Sequence, residues 1–189
     1  MRRYLGVWLS AALGLVLPLA HAADQGARAT QAARHEIDIA EALLRKRLGK
    51  PAGDSPVAVL RDPLQVTLRM PASALFDADS TELRPESLRQ PPLSAVVDLL
   101  LRRYRLVGQI NVYSDGIGGP ILNHGLTEQR ALALLAALHT TRIRPSRLTG
   151  TGLGAGAEIG SDDTPEGREQ NRRVEVVFAL PQPGGRPAG

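Results

Sequence analysis

Read for hydrophobic and polar order alone, the chain divides into short alternating stretches separated by longer stretches of helical spacing. From 24 to 48, Ile37, Ala40, Leu44 and Leu48 recur at three- to four-residue steps among Arg and Glu, which predicts an amphipathic helix. Gly49-Lys50-Pro51-Ala52-Gly53 ends it. Leu64-Gln65-Val66-Thr67-Leu68-Arg69-Met70 alternates cleanly and predicts the first strand. A helix is expected over 86–103, its start reset by Pro91-Pro92, with Leu93, Val96, Val97, Leu100 and Leu101 as the buried stripe. Further strands are expected over 107–113, 146–150 and 173–180, with a helical turn at 166–170.

The stretch 110–138 organises the rest. A strand end (Ile110, Val112) runs into Gly116-Ile117-Gly118-Gly119, then Pro120, which suits the first position of a helix. That helix is expected to reach Leu138 on a Leu/Ala stripe. Gly125 inside it costs about 1 kcal/mol relative to alanine, which points to a close backbone approach there. Asp115 sits where the strand ends, and Asn123 and Arg130, two helical turns apart, share one face of the helix. A carboxylate on one wall and a guanidinium on the other could receive a zwitterion. The same two residues could instead be an ordinary ion pair closing the loop, the reading that spacing alone favours. Strands alternating with helices imply an α+β fold of two layers, a sheet with helices on one face.

The motifs in this window resemble the OmpA-like peptidoglycan-binding domain. The resemblance rests on Asp115 fifteen residues before Arg130, with Asn123, Leu126-Thr127 and Arg130-Ala131. It extends upstream to Leu75-Phe76-Asp77, Ser80 and Leu83, and downstream to Thr164-Pro165-Glu166-Gly167-Arg168 and Asn171-Arg172-Arg173-Val174-Glu175. It covers about residues 64 to 180. Tyr113-Ser114-Asp115 stands where many members carry His-Thr-Asp, and Leu122 where an aromatic often precedes the Asn. The resemblance implies a mixed βαβαββ-type sheet and a non-catalytic site for the diaminopimelate of the peptidoglycan stem peptide. The residues it assigns are Asp115, Arg130, Asn123, Asp77, backbone groups near Leu122, and Arg172, with Phe76 both rim and core. Of Arg172 and Arg173, one is expected to face the pocket and the other solvent, and the resemblance selects Arg172.

Composition adds the compartment. Residues 1–22 read as a secretory signal: Arg2-Arg3, an apolar run broken by Pro18, and Ala20-His21-Ala22 as a small-x-small cleavage site. Cysteine is absent, so neither a lipidated cysteine nor a disulfide framework is expected. Aromatics at 3% argue against a transmembrane barrel. The formal charge of +4 falls to about +2 once Arg2 and Arg3 leave with the signal, which removes the case for nucleic-acid binding and leaves a weak preference for anionic surfaces. The expected organisation is a signal at 1–22, an N-terminal helix and linker at 23–60, the OmpA-like domain at 61–180, and a disordered tail at 181–189.

Other chemistry fits poorly. Gly150-Thr151-Gly152-Leu153-Gly154 lacks the helix that a dinucleotide fingerprint opens. His35, His124 and His139 form no i, i+4 pair, so no metal is expected, and no cofactor. Ser114, Asp115 and His124 lack a Gly-x-Ser-x-Gly elbow, and Ser114 on a strand should point away from Asp115. Arg168, Arg172 and Arg173 lack aromatic neighbours in sequence for nucleic-acid stacking. The expected partner is peptidoglycan, with an outer-membrane or envelope protein possible beside it. The competing reading is an envelope scaffold with a vestigial pocket, holding a protein partner through the 24–48 helix.

Overall fold

The structure, a computed structural model, describes residues 16–49 and 56–181, with side chains from residue 24. The expected signal segment lies largely outside the described residues, as does the expected tail beyond Pro181. The described elements are α1 (Val16–Leu48), β1 (Ala58–Asp62), β2 (Gln65–Pro71), α2 (Leu93–Arg102), β3 (Val107–Tyr113), α3 (Pro120–His139), β4 (Leu148–Gly154), α4 (Pro165–Asn171) and β5 (Arg173–Ala179). The strands form one sheet in the order β1-β2-β5-β3-β4, with β3 and β4 parallel and the other neighbours antiparallel. This is the expected α+β, two-layer arrangement.

Alternation decides which face is covered. Val66, Leu68 and Met70 of β2 lie opposite Phe178, Val176 and Val174 of β5, and Ile110 of β3 opposite Val176. These residues are buried in one cluster with Leu93, Val96, Leu99 and Leu100 of α2, and Ala131, Leu134 and Leu138 of α3. Ile37, Ala40 and Leu44 of α1 belong to the same cluster. Full burial of Ile37 and Leu44 contributes about 1.5–3 kcal/mol each. The expected helix stripe is therefore spent inside the molecule, while residues 24–32 of α1 are exposed on every side.

Several expectations are corrected. The sheet gains an edge strand, β1, whose pattern was masked because an inward position is Arg61. Its guanidinium does not enter the apolar core; it reaches Asp38 of α1 at 2.7 Å. The helix over 86–103 begins only at Leu93, since prolines at 91 and 92 lack the N–H groups that an earlier helix would use. In its stripe Leu99 is buried and Leu101 is exposed. Gly125 has nothing within 4 Å of where a Cβ would stand, so no backbone approaches it. Gly125→Ala is expected to raise stability by about 1 kcal/mol, read by urea denaturation.

The close approach falls instead on β4. A Cβ on Gly152 would stand 2.5 Å from Glu128 Cα, and one on Gly150 2.9 Å from Leu135 Cδ1. The glycine run that imitates a nucleotide fingerprint is the surface on which α3 lies. Glu128 Oε2 accepts from Gly152 N at 2.8 Å and Thr127 Oγ1 from Gly154 N at 3.0 Å, fixing the helix in register.

Candidate functional site

β3 and β4 are parallel and finish at the same end, and the cavity lies there. Asp115 follows β3 by two residues. Its carboxylate Oδ1 accepts from Ile117 N at 3.2 Å, and its main-chain oxygen accepts from Asn123 Nδ2 at 2.9 Å. The turn between them needs glycine, because Gly118 and Gly119 have φ of 92° and 86°. Pro120 then opens α3, and Asn123 and Arg130 lie on its buried face.

Asp77, Asp115, Asn123, Arg130 and Arg172 line one open cavity of about 390 Å³, together with Phe76. Leu122 does not; its side chain points outward at 71% exposure, leaving only its main chain, in the first turn of α3, near the site. Ser114 also borders the cavity, because the alternation that would turn it away ends with β3 at Tyr113. His124 is exposed.

The loop-closing ion pair joins Asp115 to Arg172, not to Arg130. Arg172 also donates to Glu169 at 2.7 Å, and Glu169 accepts from Ser73 Oγ at 2.6 Å. Burial alone would lower the Arg172 pKa, but the hydrogen bonds to Glu169 and Asp115 raise it overall. Asp77 accepts from Arg84 Nε and Nη2 at 3.0 and 2.8 Å. Glu169 and Arg84 were not singled out in the sequence, although each sits within or beside a family motif.

Arg130 is the unusual group. It is 4% exposed, yet among the described residues no carboxylate lies within ion-pairing distance. Nε donates to Ser80 O at 2.8 Å and Nη2 to Asp77 O at 3.2 Å, and the guanidinium lies 5.1 Å from the centre of the Phe76 ring. Burial, and then the charge of Arg172, lower its pKa, while Asp79 opposes them. Among the described residues no hydrogen bond occupies Nη1. Its hydrogen-bond partners are main-chain oxygens alone, and the Phe76 ring is its one aromatic neighbour among the described residues.

The neighbouring loop is stapled by Asn171, fully buried. Its Oδ1 accepts from Ile159 N and Gly160 N, and its Nδ2 donates to Gly160 O and Asp162 Oδ1, at 2.8–3.0 Å. Thr164 caps α4, accepting from Gly167 N at 3.1 Å. Arg173, expected in solvent, is instead 3% exposed. It stacks 3.7 Å from the centre of the Tyr113 ring and binds Glu175 on the sheet's other face, an aromatic contact that sequence distance concealed.

With this geometry in place, comparison with known proteins fixes the class. The OmpA family profile matches residues 75–172, and the chain belongs to that family. It is 34% identical over 143 residues to "Probable lipoprotein YiaD" of Escherichia coli, covering 76% of this chain and 63% of that one. It is 32% identical to "Peptidoglycan-binding protein ArfA" of Mycobacterium tuberculosis, covering 67% of this chain and 38% of that one. Among solved structures, a MotB-like protein of Desulfovibrio vulgaris superposes with a TM-score of 0.68 at 26% identity, covering 80% of this chain and 96% of that one. The chain thus spans less than two thirds of either curated relative. No helix among the described residues is long and apolar enough to cross a membrane.

Proposed function

We propose that this chain is a non-catalytic peptidoglycan-binding protein of the cell envelope, working in the periplasm beside the outer membrane or wall. Its ligand is the free amino-acid end of diaminopimelate in the stem peptide. The observation that carries this reading is Arg130: a buried guanidinium facing a cavity, with no carboxylate of its own among the described residues. The ligand carboxylate takes Nη1, with orphan N–H groups of the first turn of α3, at Leu122, as further donors. The ligand ammonium takes the lone pairs that Asp115 keeps beyond Ile117 and Arg172, with Asp77 at the rim. Asn123 and Arg172 hold Asp115 in place. That a family member is named for peptidoglycan binding supports the same reading.

Such a site binds weakly on its own. Each charged hydrogen bond contributes about 1.5–3 kcal/mol, much of it offset by ordering and desolvation. A polymer with dense stem peptides compensates through multivalency. The scaffold alternative loses ground because the α1 stripe it would use is already buried in the core.

Diaminopimelate and lysine differ at this position by one carboxylate. The full chain is therefore expected to co-sediment with sacculi whose stem peptides carry diaminopimelate and to remain soluble with lysine-type sacculi. Equal pelleting with both would remove Arg130 from the recognition.

A further inference from the structure

The pole opposite the cavity carries a second chemistry. The segments before β3 and β4 meet there, because Arg147 donates to Leu100 O at 2.9 Å, Arg103 O at 2.8 Å and Leu106 O at 2.8 and 2.6 Å. This joins the end of α2 to the loop that follows α3. Between 99 and 109, and again between 139 and 149, there is no Asp or Glu. Arg102, Arg105, Arg142 and Arg144 are all exposed there, and among the described residues none has an ion-pair partner. Tyr104 stands among them at 79% exposure, with Leu101 beside it.

The carbonyl ends of α2 and α3 answer part of this charge. Each contributes about half a negative charge, which leaves most of the four guanidiniums uncompensated. Over the whole chain 23 Lys and Arg stand against 19 Asp and Glu, so a stretch with no acidic residue is a local concentration and not a reflection of composition. Its make-up also selects the occupant. A soluble polyanion needs only the charge, and a single-stranded nucleic acid would use rows of aromatic side chains. Guanidiniums around an exposed tyrosine and leucine match the boundary of a bilayer, where phosphates lie over hydrocarbon.

We infer that this pole docks on an anionic lipid bilayer, with Arg102, Arg105, Arg142 and Arg144 on headgroup phosphates and Tyr104 and Leu101 at the hydrocarbon boundary. The cavity then faces away from the membrane, so the same domain that meets the bilayer at one pole presents its cavity at the other. The inference stands on the geometry of this pole and does not depend on what the cavity binds.

Vesicle flotation of the mature chain, from residue 23 onward, tests it. The protein is expected to float with phosphatidylcholine–phosphatidylglycerol vesicles and not with phosphatidylcholine alone. Binding should weaken about fivefold for each arginine changed to glutamine, so the quadruple variant stays at the bottom. The variant keeps the same leading segment, which isolates the contribution of the pole, and all four positions are exposed, so circular dichroism should be unchanged. Tyr104→Ser should weaken flotation while leaving binding to a short RNA, if any, untouched. Flotation with neutral vesicles, flotation of the quadruple variant, or no effect of Tyr104→Ser would each overturn the inference, the last by reducing it to attraction for any polyanion.

Discussion

Arg130→Ala is expected to abolish pelleting with diaminopimelate-type sacculi while the protein remains folded. The loss of a charge-assisted contact of about 1.5–3 kcal/mol weakens each site roughly ten- to a hundredfold, and multivalent attachment multiplies the deficit. The side chain also holds the 77–80 loop through Ser80 O and Asp77 O, so some stability goes with it. That cost should appear as a lower melting temperature but not as unfolding at 25 °C. Arg130→Lys separates charge from shape. A lysine keeps the cation but cannot serve the two carbonyls and a ligand carboxylate with one planar fork, and is expected to bind far more weakly than wild type. Wild-type pelleting by Arg130→Ala would show that the wall, if bound at all, is bound elsewhere.

Gly152→Ala is expected to be among the most destabilising single substitutions in the chain, by about 3 kcal/mol, measured by urea denaturation. Its Cβ would press on the backbone of α3 at Thr127 and Glu128, where no flexible side chain can give way. Relief requires α3 to lift from β4, breaking the bonds from Gly152 N to Glu128 and from Gly154 N to Thr127. Because α3 carries Asn123 and Arg130 while Asp115 stays with β3, the lift also widens the cavity. Binding should therefore fall even at temperatures where the variant is folded. Wild-type stability for Gly152→Ala would mean that α3 does not pack this closely.

These two glycines show where sequence reading succeeds and where it stops. A glycine inside a helix draws attention because it costs propensity, yet Gly125 faces open space. Gly152 lies in a strand flanked by other glycines and resembles a loop motif, and only the sheet order reveals the helix lying on it. Asp115, Asn123 and Arg130 were legible from position, Asp115 after a strand and Asn123 and Arg130 two turns apart on one helix, whereas Asp77 and Arg172 came only from the resemblance. Phe76 was likewise readable in both roles, buried and bordering the cavity. What pairs with what was not legible. Asp115 takes Arg172, 57 residues away, and Arg173 finds Tyr113 across the sheet, separations that no local pattern encodes. β1 was hidden for a related reason, since Arg61 occupies an inward position only because Asp38 and Glu41 of α1 receive it. Leu99 and Leu101 exchanged places because the direction of the α2 stripe is set by α1, which lies outside the motifs.

The way α1 enters the core has a mechanical meaning. Its carboxyl half is bound along its length at several points, through Ile37, Ala40 and Leu44 inside, and through Glu36 to Arg103, Asp38 to Arg61 and Arg47 to Asp98 at its sides. A force drawn along the helix from its amino end loads all of these contacts together, in shear, instead of peeling them one after another. The chain can thus bear tension between its amino end and whatever fills the cavity, and the exposed stem, continuous with the buried half of the same helix, carries that load into the core.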